Sequence, residues 1–226
     1  MRTEFWIAHQ KRGLAGLRGK LEVMIYARLL FPSLLDFAMK YEELTNLRAK
    51  MIPAASGVVL EVGIGSGLNL PFYTSSVTKL YALEPSAELL AKARTRSSRT
   101  PFPIEWLITT AELIHLPDSS VDTVVVTWSL CSMRDPAAAL GEMNRVLRPD
   151  GRLIFIEHGL SPDAKVQSWQ NRLTPVWRHL AGGCHLNRKM DGLIRSAGFS
   201  IATLEAAYIP GPRPLTYTYV GTGTRA

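Results

Sequence analysis

The stretch Leu60-Glu61-Val62-Gly63-Ile64-Gly65-Ser66-Gly67 decides the fold. A short apolar run, residues 58–62, reads as a buried strand that ends in glycines at every second position. Glycine is required where a ligand lies directly against the main chain, because a Cβ would occupy that space. A dinucleotide fingerprint would read G-x-G-x-x-G, with a helix aimed at a pyrophosphate. Here the spacing is G-x-G-x-G, and an acid, Glu61, stands just before it. An acid at that place suits a ligand that carries positive charge and no phosphate. The same glycines also fit an ordinary tight strand-to-helix turn, so this segment alone leaves both readings open.

Working outward, apolar strand-like runs alternate with helical ones. Residues 79–83 form a second strand ending at Glu84-Pro85, residues 104–108 a third, the β-branched run 121–128 a fourth and residues 153–157 a fifth. Residues 87–96 and 137–147 read as helices, the latter opened by Asp135-Pro136, a cap residue followed by a first-turn proline. Alternating βα units predict a doubly wound, mostly parallel α/β sheet covered on both faces. After Glu157 the alternation breaks. Residues 159–183, rich in Trp, Pro and Arg, read as an insertion, and residues 187–197 as a further helix ended by Gly198. Residues 200–207 and 217–221 read as closing strands joined through Ile209-Pro210-Gly211-Pro212.

Upstream, Leu14, Leu17, Leu21 and Met24 recur at helical spacing, although Gly13, Gly16 and Gly19 weaken that helix. Leu34, Phe37, Tyr41, Leu44 and Leu47 mark a second helix after Pro32. The predicted division is an N-terminal helical segment, residues 1–50, and an α/β domain, residues 51–226, with an insertion at about 159–185.

The bulk composition excludes several classes. Of 226 residues, 46% are hydrophobic and 20% charged, which is ordinary globular composition, and only two are cysteines, so no disulfide scaffold is implied. No apolar run approaches the roughly 20 residues of a membrane span, and no signal peptide is read at the N-terminus, so a cytoplasmic protein is expected. The net charge of +7 is concentrated early, where Lys11, Arg12, Arg18, Lys20 and Arg28 face only Glu4 and Glu22. No nucleic-acid module accompanies them, so no nucleic-acid partner is expected. They read as a solvated basic face or, with Phe5 and Trp6 beside them, a peripheral contact with anionic membrane.

Four groups fall at the carboxyl ends of successive strands, where open α/β sheets bind ligands. They are Glu61 with Gly63, Gly65 and Gly67; Glu84 with Pro85; Ala111 with Glu112; and Trp128 with Ser129. Glu84 can accept hydrogen bonds from both hydroxyls of a ribose, and Glu112 from an adenine amino group. S-adenosylmethionine (SAM), which has a cationic amine and a sulfonium but no phosphate, matches this set. Each group alone also fits a solvated strand end; together they are far more specific.

These residues, with Val121-Asp122 and Leu147-Arg148-Pro149-Asp150-Gly151, resemble the class I SAM-dependent methyltransferases over about residues 58–157. The resemblance implies a Rossmann-like sheet of seven strands, the last antiparallel, with SAM as donor and S-adenosylhomocysteine as product. It implies that Gly63, Gly65 and Gly67 flank the methionine and ribose, that Glu84 holds the ribose, and that Ala111 and Glu112 hold the adenine. Thr110 departs from the pattern, since many relatives have Asp there. The segments Leu130-Cys131-Ser132, Glu157-His158, Trp169-Gln170, Pro175-Val176-Trp177 and Gly183-Cys184-His185-Leu186-Asn187-Arg188 are similar to the membrane-associated alkyl-thiol methyltransferases of the methyltransferase-like seven group and their bacterial relatives.

A small-molecule acceptor follows, with a thiol first. Alternatives are a phosphatidylethanolamine N-methyltransferase, a quinone-type C/O-methyltransferase, and a SAM-binding regulator without activity. A thiol with a pKa near ~8.5 must lose its proton before it attacks. His158 and His185 are the candidate bases, each also readable as a structural histidine, and Trp169 and Trp177 are candidate walls of the acceptor pocket. No pair among Cys131, Cys184, His158 and His185 has the short spacing usual in metal sites, so no metal is expected.

Overall fold

The computed structural model describes residues 31–226. The expected first helix, the basic stretch 11–28 and the pair Phe5 and Trp6 lie outside the described residues. Seven strands form one sheet in the order β3-β2-β1-β4-β5-β7-β6. Their bounds are β1 Gly57–Val62, β2 Val77–Leu83, β3 Ile104–Leu107, β4 Val121–Thr127, β5 Leu147–His158, β6 Phe199–Tyr208 and β7 Tyr217–Arg225. The first five run parallel, whereas β7 pairs antiparallel with both β5 and β6. This is the doubly wound, seven-stranded arrangement expected, and its order reverses between β1 and β4. Strand pairs at such a switch point splay their following loops to opposite faces and leave a crevice between them.

The helices are α1 Phe31–Ala38, α2 Glu42–Met51, α3 Ala87–Arg96, α4 Pro136–Val146, α5 Ala164–Leu180, α6 Met190–Ser196 and α7 Arg213–Thr216. The single N-terminal helix expected after Pro32 is two helices. The chain turns at Met39–Tyr41 and swings Arg48 of α2 under the sheet's ligand-binding edge. The caps follow their chemistry: the Asp135 carboxylate accepts from the N–H groups of Ala137 and Ala138 at 3.1 and 3.0 Å, and the Ser86 hydroxyl from Leu89 N–H at 3.2 Å.

The centre of the sheet is buried on both faces, which is why its central strands read as unbroken apolar runs, while the edge strand β6 is largely exposed. On one face Leu60, Val62, Val124, Val126, Leu153 and Phe155 pack with Leu140 and Met143 of α4; on the other Val59, Leu80, Val125 and Ile154 pack with Leu90 of α3 and Ile52. Arg145 closes the long β3–β4 connection by donating to the carbonyls of Ile114 and Leu116, both at 2.8 Å, while pairing with Glu142.

The region expected as an insertion is mostly the helix α5, with Pro175 inside it. Helix α5 buries Gln170, whose side-chain amide donates to Gly159 O at 2.9 Å and Pro214 O at 3.1 Å and accepts from Ser161 N–H at 3.0 Å. A glutamine thus takes the place of the apolar residue that periodicity would seek. No helix among the described residues is long and apolar enough to cross a membrane.

Phe155, in the middle of β5, is fully buried and packs against the surface of Gly221 on β7. Phe155→Ala is expected to cost about 3–5 kcal/mol of unfolding free energy, read as a lowered denaturant midpoint with an unchanged slope.

Candidate active site

A cleft of about 960 Å³ opens at the carboxyl ends of β1, β2, β4 and β5. Its floor at one end is the glycine loop. A Cβ on Gly63 would strike the Ser129 side chain at 2.2 Å, and one on Gly67 would meet Leu70 at 2.9 Å and Ala93 of α3 at 3.0 Å. A Cβ on Gly65 would meet nothing nearer than 4.0 Å, so that position faces open cleft. All three have left-handed φ values, between 57° and 81°. The three glycines therefore serve different ends: Gly63 admits the β4 loop, Gly67 admits α3, and Gly65 keeps space for a ligand.

Two buried carboxylates shape this end. Glu84 accepts from Gly65 N–H and Ser86 N–H, both at 2.9 Å, so the strand-end acid fixes the glycine loop as well as lining the cleft. Burial pushes its carboxyl above the ordinary value, against those two donors. Glu61 does not line the cleft, contrary to the expectation that it meets the cofactor. It is completely buried beneath the floor, where it accepts from Asn69 Nδ2 at 2.7 Å and the Tyr73 hydroxyl at 2.9 Å. Burial pushes Glu61 up to about 7 despite those donors and the nearby charge of Arg48. Asn69, which does line the cleft, leaves its buried Oδ1 without a partner.

Arg48 has no counterpart in the sequence reading. Its guanidinium lies 4.7 Å from the centre of the Trp128 ring and donates to Met39 O at 2.8 Å, and its buried Nε is unpartnered. Only an arginine inside an otherwise apolar helical face could have signalled it. Trp128 itself sits at φ 48°, a conformation costly for an aromatic residue and held by its N–H on Ile156 O at 2.7 Å. Helix α1 forms part of the wall through Leu34, Leu35 and Ala38, and Asp36 anchors it by an ion pair to Arg96 at 2.8 Å. Arg96 also donates to the carbonyl of Ser66 in the glycine loop.

Of the residues predicted to bind cofactor, Gly63, Gly65, Glu84, Pro85, Ala111, Glu112, Trp128 and Ser129 all line the cleft. Glu61 and Gly67 do not; they hold its floor from behind. Glu112 accepts from Asp135 N–H at 3.2 Å, which places it at the mouth between the loops after β3 and β4.

At the opposite end the wall is Cys131, His158, Trp177 and Cys184, with Leu180, Leu186 and Leu215. His158 Nε2 lies 2.9 Å from Cys184 Sγ, and Trp177 Nε1–H donates to the same sulfur at 3.3 Å. The loop carrying Cys131 is held by Glu157, which is wholly buried and accepts from Ser129, Leu130 and Cys131 N–H at 2.7, 2.9 and 3.4 Å. The Cys184 thiol and the charge of His158 hold Cys131 well below the ordinary thiol range, while Cys184 is pushed up. Burial opposes a charge on His158, but the neighbouring Cys131 raises it above the ordinary imidazole value.

Two expectations for this end fail. His185 does not line the cleft; its backbone N–H bonds Cys131 O at 2.8 Å, so its role is to close the loop rather than to face a ligand. Trp169 stands on the outer face of α5, 55% exposed, because Gln170 takes the inward position beside it.

Residues 60–155 match the methyltransferase domain model. The chain is 33% identical over 178 residues to the human thiol S-methyltransferase TMT1B, a match covering 76% of this chain and 71% of that one. The chain belongs to this family of class I SAM-dependent methyltransferases. The rat thiol S-methyltransferase TMT1B is 35% identical over 151 residues, and there the match takes in 65% of this chain and 62% of the relative's length. In fold, a Haloferax volcanii methyltransferase solved with its Trm112 activator superposes with a TM-score of 0.65 at 19% identity, covering 87% of this chain and 97% of that one. SAM is the methyl donor of such enzymes, and S-adenosylhomocysteine the product.

The cleft fits that donor. Gly65 leaves room for it, Glu84 offers carboxylate lone pairs to a ribose, and Arg48 brings a cation to the cleft wall beside Trp128. Gly65→Val is expected to abolish SAM binding in calorimetry while far-ultraviolet circular dichroism is unchanged; retained affinity would remove the loop from the donor site.

Glu61 carries a pH signature. Its folded value of about 7 lies above the ordinary 4.5, so its contribution to stability is full below the ordinary value and is lost as pH rises through about 7. That displacement corresponds to about 3 kcal/mol. Relative to Glu61→Gln, the wild type should lose about that much unfolding free energy between roughly pH 4 and pH 8. A difference independent of pH would show that Glu61 does not titrate in this way.

Proposed function

We propose that this enzyme methylates the sulfur of a small apolar thiol. The observation that carries the reading is the acceptor end of the cleft, built from two thiols, an imidazole, an indole and leucines, with no carboxylate among its described residues. The cleft's carboxylates, Glu84, Glu112 and Asp135, belong to the ribose and adenine side. A cationic amine acceptor would therefore meet no carboxylate at that end, and desolvating it would be costly. A neutral thiol enters at little cost. The thiol S-methyltransferases to which the chain is similar add support.

When bound, SAM supplies a methyl on a positively charged sulfur, and the products are the methyl thioether and S-adenosylhomocysteine. The chain's own residues do the rest. Glu84 would hold the ribose, while Arg48 and Asn69 would lie toward the carboxylate and ammonium of the methionine end. This orientation supplies much of the acceleration in a displacement that must be in line. In its neutral form His158 would take the proton from the acceptor thiol, with the neighbouring Cys131 raising the imidazole's affinity for it. Trp177 and the leucines exclude water, leaving the thiolate poorly solvated.

His158→Ala is expected to lower turnover by about 10²–10⁴-fold with SAM affinity nearly intact. The defect should shrink as pH passes the acceptor's own pKa, since solvent then supplies thiolate. His185→Ala should retain most activity. Mass spectrometry of products from a panel of alkyl thiols, phosphatidylethanolamine and quinols decides the acceptor class; methylation of the lipid amine in preference to every thiol would overturn the proposal.

A further inference from the structure

We infer that Cys131, His158 and Cys184 form a binding site for a soft divalent metal ion of the zinc class, with its fourth position open to the cleft. The inference rests on reading this end of the cleft as thiol-handling. Each residue offers one ligand atom, and the three atoms lie within 4.8 Å of one another. In a tetrahedral site with zinc–sulfur bonds near 2.3 Å and zinc–nitrogen bonds near 2.0–2.1 Å, ligand atoms stand roughly 3.6–3.8 Å apart. Closing on an ion therefore needs shifts of about 1 Å at most.

The donor set itself selects the ion. Two sulfurs and an imidazole suit zinc, while magnesium and calcium require oxygen, and no carboxylate belongs to this set of ligand atoms. Three protein ligands with an open fourth position is the arrangement of catalytic rather than structural zinc sites. The ligands are held from outside the set: Glu157 and His185 N–H fix the Cys131 loop, His158 ends β5, and the Trp177 N–H orients Cys184 Sγ. Two thiolates and a divalent ion sum to zero charge, which a buried position tolerates.

Binding of one ion releases two protons, one from the Cys184 thiol and one shared by the Cys131–His158 pair, which must leave both sulfurs and the ligating nitrogen free. An acceptor thiol then replaces water at the fourth position and gives its proton to solvent, with no electron transferred. A metal-bound thiol is deprotonated outright. His158 therefore serves thiolate formation in both forms, as proton acceptor in the metal-free protein and as ligand in the loaded one.

The full chain, stripped with a chelator, is titrated with cobalt(II). One equivalent should produce thiolate-to-cobalt charge-transfer absorption and tetrahedral ligand-field bands, and zinc should displace it. The bands should be lost in Cys131→Ser, Cys184→Ser and His158→Ala and kept in His185→Ala. Should a cysteine variant fail to fold, the wild type still decides, because it has only two cysteines: one equivalent of zinc should shield both from a disulfide reagent. Absent bands, or thiols that react equally with and without zinc, would overturn the site. The same samples are assayed for thiol methylation. Metal-free protein that methylates thiols and binds no cobalt leaves the proposed function standing and the metal site refuted; protein that binds cobalt but methylates no thiol does the reverse.

Discussion

A carboxylate taken out of water must be given hydrogen-bond donors, and three such carboxylates, at the ends of β1, β2 and β5, set the course of the loops around the cleft. Glu61 draws in Asn69 and Tyr73, Glu84 draws in the N–H groups of Gly65 and Ser86, and Glu157 draws in those of Ser129, Leu130 and Cys131. Leaving any of these acids without its donors would cost more than a typical hydrogen bond contributes, since a buried polar group with no partner forfeits its full hydration. The loops are therefore not free to choose their paths. The sheet supplies the crevice; the acids determine which backbone atoms face it.

This division explains what was legible in the sequence. Strands β1, β4 and β5 lie in the sheet centre, their inner stretches buried on both faces, and so announce themselves as apolar runs. The acids at strand ends are visible because they follow those runs, and Glu84 could be placed at once. The role of Glu61 was misjudged for a physical reason: spacing shows an acid beside glycines but not on which side of the floor its side chain lies. Gly67 was misjudged similarly, since a glycine that admits a helix looks the same as one that admits a ligand. Cys131, His158 and Cys184 can be picked out in the sequence, but their convergence cannot, because they come from three separate segments and spacing rules find only ligands that share one.

Helix α5 was missed because its amphipathicity is reversed. Its buried face includes Gln170 and Thr174, while Trp169, Leu173, Val176 and Leu180 are exposed. The inversion has a cause. The chain leaving β5 at Gly159–Ser161 has backbone groups that no strand partner reaches, and Gln170 satisfies two of them while binding Pro214 as well. A leucine there would leave those groups buried and unpaired. Helix propensity and apolar periodicity both yield to that requirement, and Trp169 is turned outward as a result.

The two ends of the cleft are then built on opposite principles. The donor end is polar and rigid, with backbone N–H groups locked by acids, so it is shaped for one ligand with a fixed set of charges. The acceptor end has few hydrogen-bonding side chains, and its leucines and Trp177 present surface rather than direction. Apolar walls discriminate weakly between substrates that differ by a methylene, by about 1–3 kcal/mol. Specificity at that end must therefore come from the one feature that is chemically exacting: two sulfurs and an imidazole close enough to share a proton or an ion. On the proposed function, a group whose acidity falls in the thiol range would be activated there, whereas an alcohol, too weak an acid to yield its proton to an imidazole, would not. The pocket would then select by the acidity and softness of the acceptor atom more than by the shape of what carries it.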